Sequence, residues 1–544
     1  MSEKEHRGFG PPGTGKTFWL ANQIDRAIRK FDGVQNVCVA SFTKTAAREI
    51  SQRVGIRPSN MFGTLHSICF GLLGNPIIAE GETKRWNEWI EAKGMPTFVL
   101  SVEGSKTDDP EWSASNEYGS AGDVAFMQLQ NLRARMLPRN MWPATVRAFE
   151  QLWTDWKIEV SARDFTDLID ICLQDKVRLP AQVRCAFFDE VQDFTKLELE
   201  LVRMWGQALE YSILVGDDDQ CIFSFKGATP DAFLFPKIDE SQKTILSQSY
   251  RVPIAVHALA NKWIRNVKAR QEKEYKPTDV QGAVVPMSVA TWKHPELMIK
   301  SVEKQLDAGH SIMILATCSY HLGPTIRLLR THGLPFHNPY RRKRGDWNPL
   351  VRRKSGTASA DRMLAYLQTS QAVFGDAAES WNNQSLALWI EHIKSDGLLV
   401  RGAKKKIEAL AKDDPDGLPP LLELFTSEAA EILWDDPNVD WFVSKIQANK
   451  QSVYEYPCNI LKARGAKALI DEPKITVGTI HSVKGGEADA VYVFPDLSTN
   501  GLREWQGELT RDPIIRLFYV AFTRARKELH LCVRATSCAV QWSW

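Results

Sequence analysis

The chain has no excess of charge of either sign: 68 Lys and Arg against 66 Asp and Glu leave a formal net charge of +2. Global charge therefore cannot draw it to nucleic acid, and any such surface has to come from local clustering. Paired cysteines are missing as well. The nine cysteines are scattered and none forms a C-x-x-C pair, which argues against a zinc site and predicts reduced thiols. No apolar run approaches the length of a membrane span, and the N-terminus carries no signal-peptide hydrophobic region. A soluble, cytoplasmic protein without a membrane partner is expected. There is no fixed-period repeat and no low-complexity tail.

What is present is ordinary in bulk and specific in detail. With 544 residues, 44% hydrophobic and 25% charged, the chain exceeds one core and predicts roughly three to four domains or subdomains. The 18 tryptophans are read mostly as packing residues. The sharpest local signal is Gly10-Pro11-Pro12-Gly13-Thr14-Gly15-Lys16-Thr17, which fits the phosphate-binding loop G-x-x-x-x-G-K-[S/T]. Its glycines let successive N–H groups turn inward around a polyphosphate. Lys16 would reach the β- and γ-phosphates, Thr17 would hold Mg²⁺, and a helix after it would put its N-terminus on the anion. Such a loop should follow a strand, and Glu5 to Phe9 is the stretch available, with Gly8 inside it.

Further on, short apolar runs end in polar motifs. Val37 to Ala40 leads into Ser41-Phe42-Thr43-Lys44-Thr45, and a polar-aromatic loop follows at Phe62-Gly63-Thr64-Leu65-His66-Ser67. Aromatic and hydroxyl residues at strand ends suit base stacking and phosphate contacts. Arg184 to Phe188 ends in Asp189-Glu190-Val191-Gln192-Asp193: Asp189 can hold a metal's water shell and Glu190 can deprotonate an attacking water. Tyr211 to Val215 ends in Gly216 to Gln220, with Phe223 and Phe225 just beyond. Gln220 is placed to sense a γ-phosphate, and the two rings are candidate stacking platforms. Strands with motifs past their C-terminal ends describe a parallel α/β sheet with a ligand crevice there.

The pattern restarts at Ser249-Tyr250-Arg251 and resumes at Thr479-Ile480-His481-Ser482-Val483-Lys484-Gly485-Gly486-Glu487. A helix is predicted from Arg516 to Arg526, closed by a strand from Glu528 to Val533. Two motif-poor, Trp-bearing stretches interrupt it and read as helical insertions, the first holding a Gly, Asp, Ser and Asn cluster from Glu103 to Gly122. The basic run Arg341 to Arg344 reads as a solvated linker that can also meet phosphate.

This ordered set of motifs closely resembles the UvrD/Rep/PcrA-type helicases of superfamily one. The resemblance implies two RecA-like parallel-sheet domains, each with a helical insertion: 1–75 and 179–247 for the first (1A), 76–178 inserted (1B), 248–344 and 471–544 for the second (2A), 345–470 inserted (2B). It implies ATP between those two domains and single-stranded DNA across them. Carried over, Gly10 to Thr17 cradle the nucleotide, Thr17 and Asp189 hold Mg²⁺, and Lys16, Asp189, Glu190, Gln220, Arg251 and Arg524 form the catalytic set. Tyr250 would stack on adenine, and Glu487 would meet the ribose. Phe42, Thr43, Thr64, His66, Phe223, Phe225, Thr479 and His481 would line the DNA path.

The implied activity is ATP-driven 3′ to 5′ translocation on single-stranded DNA and unwinding of tailed duplexes, by a monomer or weak oligomer; the resemblance names no loading partner. Only nine residues precede Gly10, so the family's upstream adenine-reading Gln motif is missing; Phe18 stands where many relatives have Arg, and Phe225 where many have Trp. Hydrolysis is therefore expected, but strong selectivity for ATP is not. A second function class is an ATP-dependent clamp on nucleic acid without processive unwinding, and an RNA substrate is a third reading.

Overall fold

Alternation of short β-branched runs with amphipathic helices builds parallel sheets here, because each strand returns through a helix packed on the sheet face. The computed structural model describes residues 4–56, 59–101, 120–341, 345, 347–351, 358–435, 438–508 and 510–542. The chain divides into two units. Residues 1–288, 315–319 and 479–544 form the first, and 289–314 with 320–478 form the second.

In chain order the strands of the first sheet and the small pair between them are β1 (Glu5–Phe9), β2 (Val37–Ser41), β3 (Phe62–Thr64), β4 (Ile77–Ile78), β5 (Ala162–Arg163), β6 (Cys185–Asp189), β7 (Tyr211–Gly216) and β8 (Lys243–Ile245). The first sheet runs β3-β2-β6-β7-β1-β8, and every pairing in it is parallel. All its C-terminal ends consequently point the same way, as expected from the motif positions. Later come β9 (Ala283–Met287), β10 (Ile312–Ala316), β11 (Phe336–His337), β12 (Ile475–Thr479), β13 (Ala488–Val493) and β14 (Ala525–Cys532). In the first unit β14 pairs in parallel with both β13 and β9; in the second, β11 pairs in parallel with β12. The parallel α/β class expected from the sequence is the class observed.

The glycine inside β1 has a packing reason. A Cβ on Gly8 would lie 3.0 Å from Trp19 Cζ3, so its absence lets the helix after the phosphate loop sit close to the sheet. Arg7, in the same strand, is buried; its guanidinium donates to Glu5 at 2.6 Å and to the carbonyls of Phe233 and Leu234 at 2.7 and 3.0 Å.

Two local expectations need correcting. Phe62 to Ser67 is not a loop: β3 runs straight into a helix. The helix predicted over Arg516 to Arg526 stops at Phe522, and β14 already begins at Ala525. Thr523 turns its hydroxyl back onto the carbonyls of Tyr519 and Val520 at 2.9 and 3.1 Å. This gives acceptors of the last turn a further donor where the helix stops. Arg524 therefore lies in the turn and Arg526 on the strand.

Between residues 77 and 174 the chain is mainly helical among the described residues, with β4 and β5 as the only strands of that stretch. Trp86, Phe149, Trp153 and Trp156 pack edge-on or stacked at its centre. Below them Asp164 is fully buried and accepts from Trp153 Nε1 at 2.9 Å, Lys157 Nζ at 2.7 Å and Arg133 Nη1 at 3.1 Å. Burial opposes its ionisation, but Arg133 and Lys157 hold the carboxyl well below its usual range. Residues 103–119 of the polar cluster lie outside the described residues, as do 342–344 of the basic run. The second unit is also rich in helices, its aromatic core formed by Tyr366, Trp389, Phe442 and Tyr454. Among the described residues no helix is long and apolar enough to cross a membrane.

Trp153→Ala should create a cavity and leave Asp164 short of a donor, costing about 3–5 kcal/mol. We expect calorimetry to resolve an early melting component for the helical region, with the sheet transition preserved.

Candidate nucleotide and nucleic-acid site

The site starts at the end of β1. Gly10 N donates to Gly216 O at 3.1 Å, which pins the loop's first residue to the neighbouring strand β7. Gly13 and Gly15 both take φ of 75°, a left-handed conformation that glycine adopts without strain. A Cβ on Gly13 would lie 2.6 Å from Arg251 Cβ. The helix α1 (Lys16–Lys30) then begins with no side-chain cap and no acidic residue in its first turn. Its leading N–H groups keep their capacity for an anion. Lys16 is buried, with Nζ donating to Gly10 O at 2.7 Å; burial lowers its pKa, against the pull of Glu190, Asp217 and Asp189. Thr14 closes the loop onto Pro11 O at 2.8 Å.

Next to it, at the end of β6, Asp189 accepts from Thr17 Oγ1 at 3.3 Å. Its other oxygen, Oδ1, is buried without a hydrogen-bond partner among the described residues. Burial, with Glu190 adding, pushes this carboxyl up to about 7. A hydroxyl, a carboxylate and an unpartnered buried oxygen beside a phosphate loop fit Mg²⁺, which is held by one or two carboxylates plus substrate phosphates. Among the described residues no cluster of three or more His, Cys, Asp or Glu could hold a metal by itself.

Glu190 has φ of 54°, uncommon for a side chain of its size. This turns the chain sharply out of β6. Burial works against its charge, yet Lys484 and Lys16, with a Gln192 hydrogen bond and Arg524, hold its pKa below the ordinary value. Glu190 is thus ionised and able to take a proton. Lys484 Nζ lies 4.0 Å from Glu190, donates to Gln220 O at 2.8 Å and pairs closely with Asp193. Burial pushes Asp193 up to about 7 against that lysine.

Gln220 is buried. Its Nε2 donates to Asp217 Oδ2 at 2.8 Å, and its Oε1 accepts from Arg524 Nη2 at 3.1 Å. Arg524, itself fully buried, also donates to Val520 O and Gly486 O. Arg251 pairs with Glu487 at 2.5 Å, and Arg526 reaches the same carboxylate at 3.4 Å. Tyr250 is 78% exposed, its backbone N–H held by Gly13 O at 2.8 Å, so the ring is free to stack. Pro12 O accepts from both Ser249 Oγ and Tyr275 OH, at 3.0 and 2.9 Å.

The residues assigned to DNA divide into two groups. Phe42, Phe223, Phe225 and His481 form one aromatic cluster with centroids 5.2–6.0 Å apart. Phe223 is its buried member, with Lys484 over its ring at 5.2 Å, and Phe225 is partly exposed. His481 contacts Ile222 O at 3.2 Å, and burial lowers its pKa to about 4. The three threonines have local partners. Thr43 caps α2 (Lys44–Val54) through Ala46 N, Thr64 caps α3 (Leu65–Leu72) through Ser67 N, and buried Thr479 accepts from Ser482 N at 3.3 Å. His66 lies 3.7 Å from Glu198.

Sequence reasoning missed Lys484 and Tyr275 as parts of this site. Lys484 sits inside a motif quoted for other residues; Tyr275 has no motif of its own.

Two family models match the chain. One, the UvrD/REP helicase N-terminal domain, covers residues 9–239, and the UvrD-like helicase C-terminal domain covers 474–532. Among similar proteins is YjcD of Bacillus subtilis, 23% identical over 588 residues, covering 95% of this chain and 75% of that protein. The ATP-dependent DNA helicase Rep of Salmonella typhimurium is 23% identical over 617 residues, covering 95% and 86%. The ATP-dependent DNA helicase PcrA of Staphylococcus aureus is 24% identical over 358 residues, covering 60% of this chain and 47%, less than half, of PcrA.

Asp189 carries a pH signature of the site. In the folded chain it keeps a proton up to about pH 7 that the unfolded chain has lost by about pH 4. Its burial therefore costs more as pH rises across that window. Asp189→Asn should stabilise the nucleotide-free protein on the order of 1–3 kcal/mol at pH 8 and little at pH 4. Denaturant midpoints at the two pH values measure this; an equal gain at both would contradict it.

Proposed function

The chain belongs to the UvrD/Rep helicase family, and on that footing we propose that it is an ATP hydrolase that steps along single-stranded DNA and opens tailed duplexes. One convergence carries the reading: an uncapped helix start, the buried Lys16 and the unpartnered Asp189 oxygen occupy one place in the first unit. Lys16 and the N–H groups of the loop bind the β- and γ-phosphates. Thr17 and Asp189 hold Mg²⁺, which when bound supplies neutralisation of the phosphate oxygens. Glu190, ionised and beside Gln192, accepts the proton of the attacking water. Arg251 and Arg524 meet the negative charge that redistributes in the transition state, an effect worth about 10³–10⁵ in rate for arginines of this kind.

Gln220 joins the nucleotide side to the aromatic cluster. It bonds Arg524 through its side chain and Lys484 through its carbonyl, and Lys484 also lies over Phe223. Phe225, partly exposed in that cluster, stacks on a base, a contact worth about 1–3 kcal/mol per base. That holds a strand during one step and still releases it. Tyr250 stacks on the adenine. The division into two RecA-like domains with inserted helical subdomains, at the boundaries read from the sequence, belongs to the same proposal, as does 3′ to 5′ movement.

The test pairs two measurements. Glu190→Gln should bind ATP normally but hydrolyse it about 10²–10⁴-fold more slowly, since the amide cannot accept a proton. The unaltered protein should show DNA-stimulated hydrolysis and open 3′-tailed duplexes in preference to 5′-tailed ones. Near-normal turnover by Glu190→Gln would remove the general base from this assignment. Hydrolysis without opening of either tailed duplex would favour a clamp over a helicase.

A further inference from the structure

Just past β7, three consecutive carboxylates converge on a single buried lysine. Lys273 Nζ lies 2.8 Å from Asp217, 2.5 Å from Asp218 and 3.0 Å from Asp219, with the lysine and all three carboxylates essentially inaccessible. Arg270 adds a two-pronged pair to Asp219 at 2.6 and 3.0 Å. Gln271 N donates to Asp218 Oδ2 at 2.8 Å, and Arg516 donates to Asp218 O at 2.9 Å. Removing three carboxylates from water is costly unless cations and donors answer each of them. Here the answering groups come from the segment after Val267 and from the helix Asp512–Phe522.

The consequence runs through Asp217, whose two oxygens are divided. Oδ1 takes Lys273 Nζ at 2.8 Å and Asp219 N at 3.2 Å, while Oδ2 takes Gln220 Nε2 at 2.8 Å. A carboxylate only accepts, so the nitrogen end of the Gln220 carboxamide must face it. The oxygen end is then turned to Arg524 Nη2, 3.1 Å away. Were Asp217 free to rotate, the carboxamide could reverse and present N–H groups to a guanidinium that has only donors.

We propose that Lys273 is a positioning residue for ATP hydrolysis: it fixes the Asp217 carboxylate, which sets the Gln220 carboxamide and through it the guanidinium of Arg524. The inference rests on the ATPase reading of the site. Lys273 meets the three carboxylates, and the hydrogen-bonded route from Asp217 to Arg524 runs through Gln220. Arg270 is the natural control. It helps neutralise the same cluster through Asp219, yet makes no contact with Asp217 among the hydrogen bonds and ion pairs described above.

The experiment is a double-mutant cycle on the full chain, read as steady-state ATPase with a thermal melt on every variant. Lys273→Met should lower kcat about 10–100-fold with KM for ATP changed less than about twofold. In a Gln220→Ala background the same change should cost less than about threefold, because the group it acts through is gone. Arg270→Met should lower the melting temperature without that kcat-selective loss. If Lys273→Met does not fold, Lys273→Arg keeps the charge but not the single Nζ shared by three carboxylates, and it runs through the same cycle. Equal losses of kcat with and without Gln220 would overturn the proposal, as would an unchanged kcat in either folded Lys273 variant. An unaltered protein that hydrolyses no ATP would instead overturn the reading beneath it.

Discussion

Burying opposite charges together at one edge of a parallel sheet is the constraint on which the site depends. Parallel strands deliver every C-terminal end to the same side, so Asp189 and Glu190 at the end of β6 and Asp217 to Asp219 after β7 arrive close together. Like charges so placed would raise one another's pKa and push the loops apart. The structure answers with Lys16 from the phosphate loop, Lys484 after β12, and Lys273, Arg270 and Arg516 around the triple carboxylate. These pairs are poor sources of net stability, but they fix geometry, which catalysis by positioned charge requires.

The balance is deliberately incomplete at two carboxylates. Asp189 and Asp193 both keep raised pKa values near 7 and a buried oxygen without a partner among the described residues. Asp189 is the one facing Thr17 and the start of α1, where an incoming divalent cation would supply the missing charge. Glu190, one residue on, is held ionised by its cations. Adjacent carboxylates thus differ in protonation because their surroundings differ, a separation that suits a metal ligand beside a proton acceptor.

The helical region of the first unit solves a similar problem of buried charge. Asp164 and Asp167 cap the helix Phe165–Gln174 reciprocally and are neutralised by Lys157 and Arg133 beneath the tryptophan cluster. A helical segment of this size has a small apolar core. A saturated ionic lock and four packed indole and phenyl rings together give it a defined arrangement.

The sequence by itself determined the chemistry available and most of the strands. The phosphate loop, the Asp189-Glu190 pair at a strand end, Gln220 and Arg524 are local patterns, and local patterns survive in one dimension because a strand, a tight turn and a helix start are each set by neighbours. The turn at Thr523 was not legible, since its apolar run continues a helical period and no glycine or proline marks the stop. Nor was β1 clear, because Gly8 and Arg7 look foreign to a strand until Trp19, Phe233 and Leu234 are packed around them. Only the tertiary structure decided the sheet order, the partner of Asp217 and the contact of Gln220 with Arg524, residues 304 positions apart. Lys273 shows the reason most plainly: no spacing or periodicity marks a lysine whose role exists only when three carboxylates are folded against it. Local sequence fixes which groups can form charges and hydrogen bonds, while long-range packing fixes which of those groups lose water and must therefore find one another.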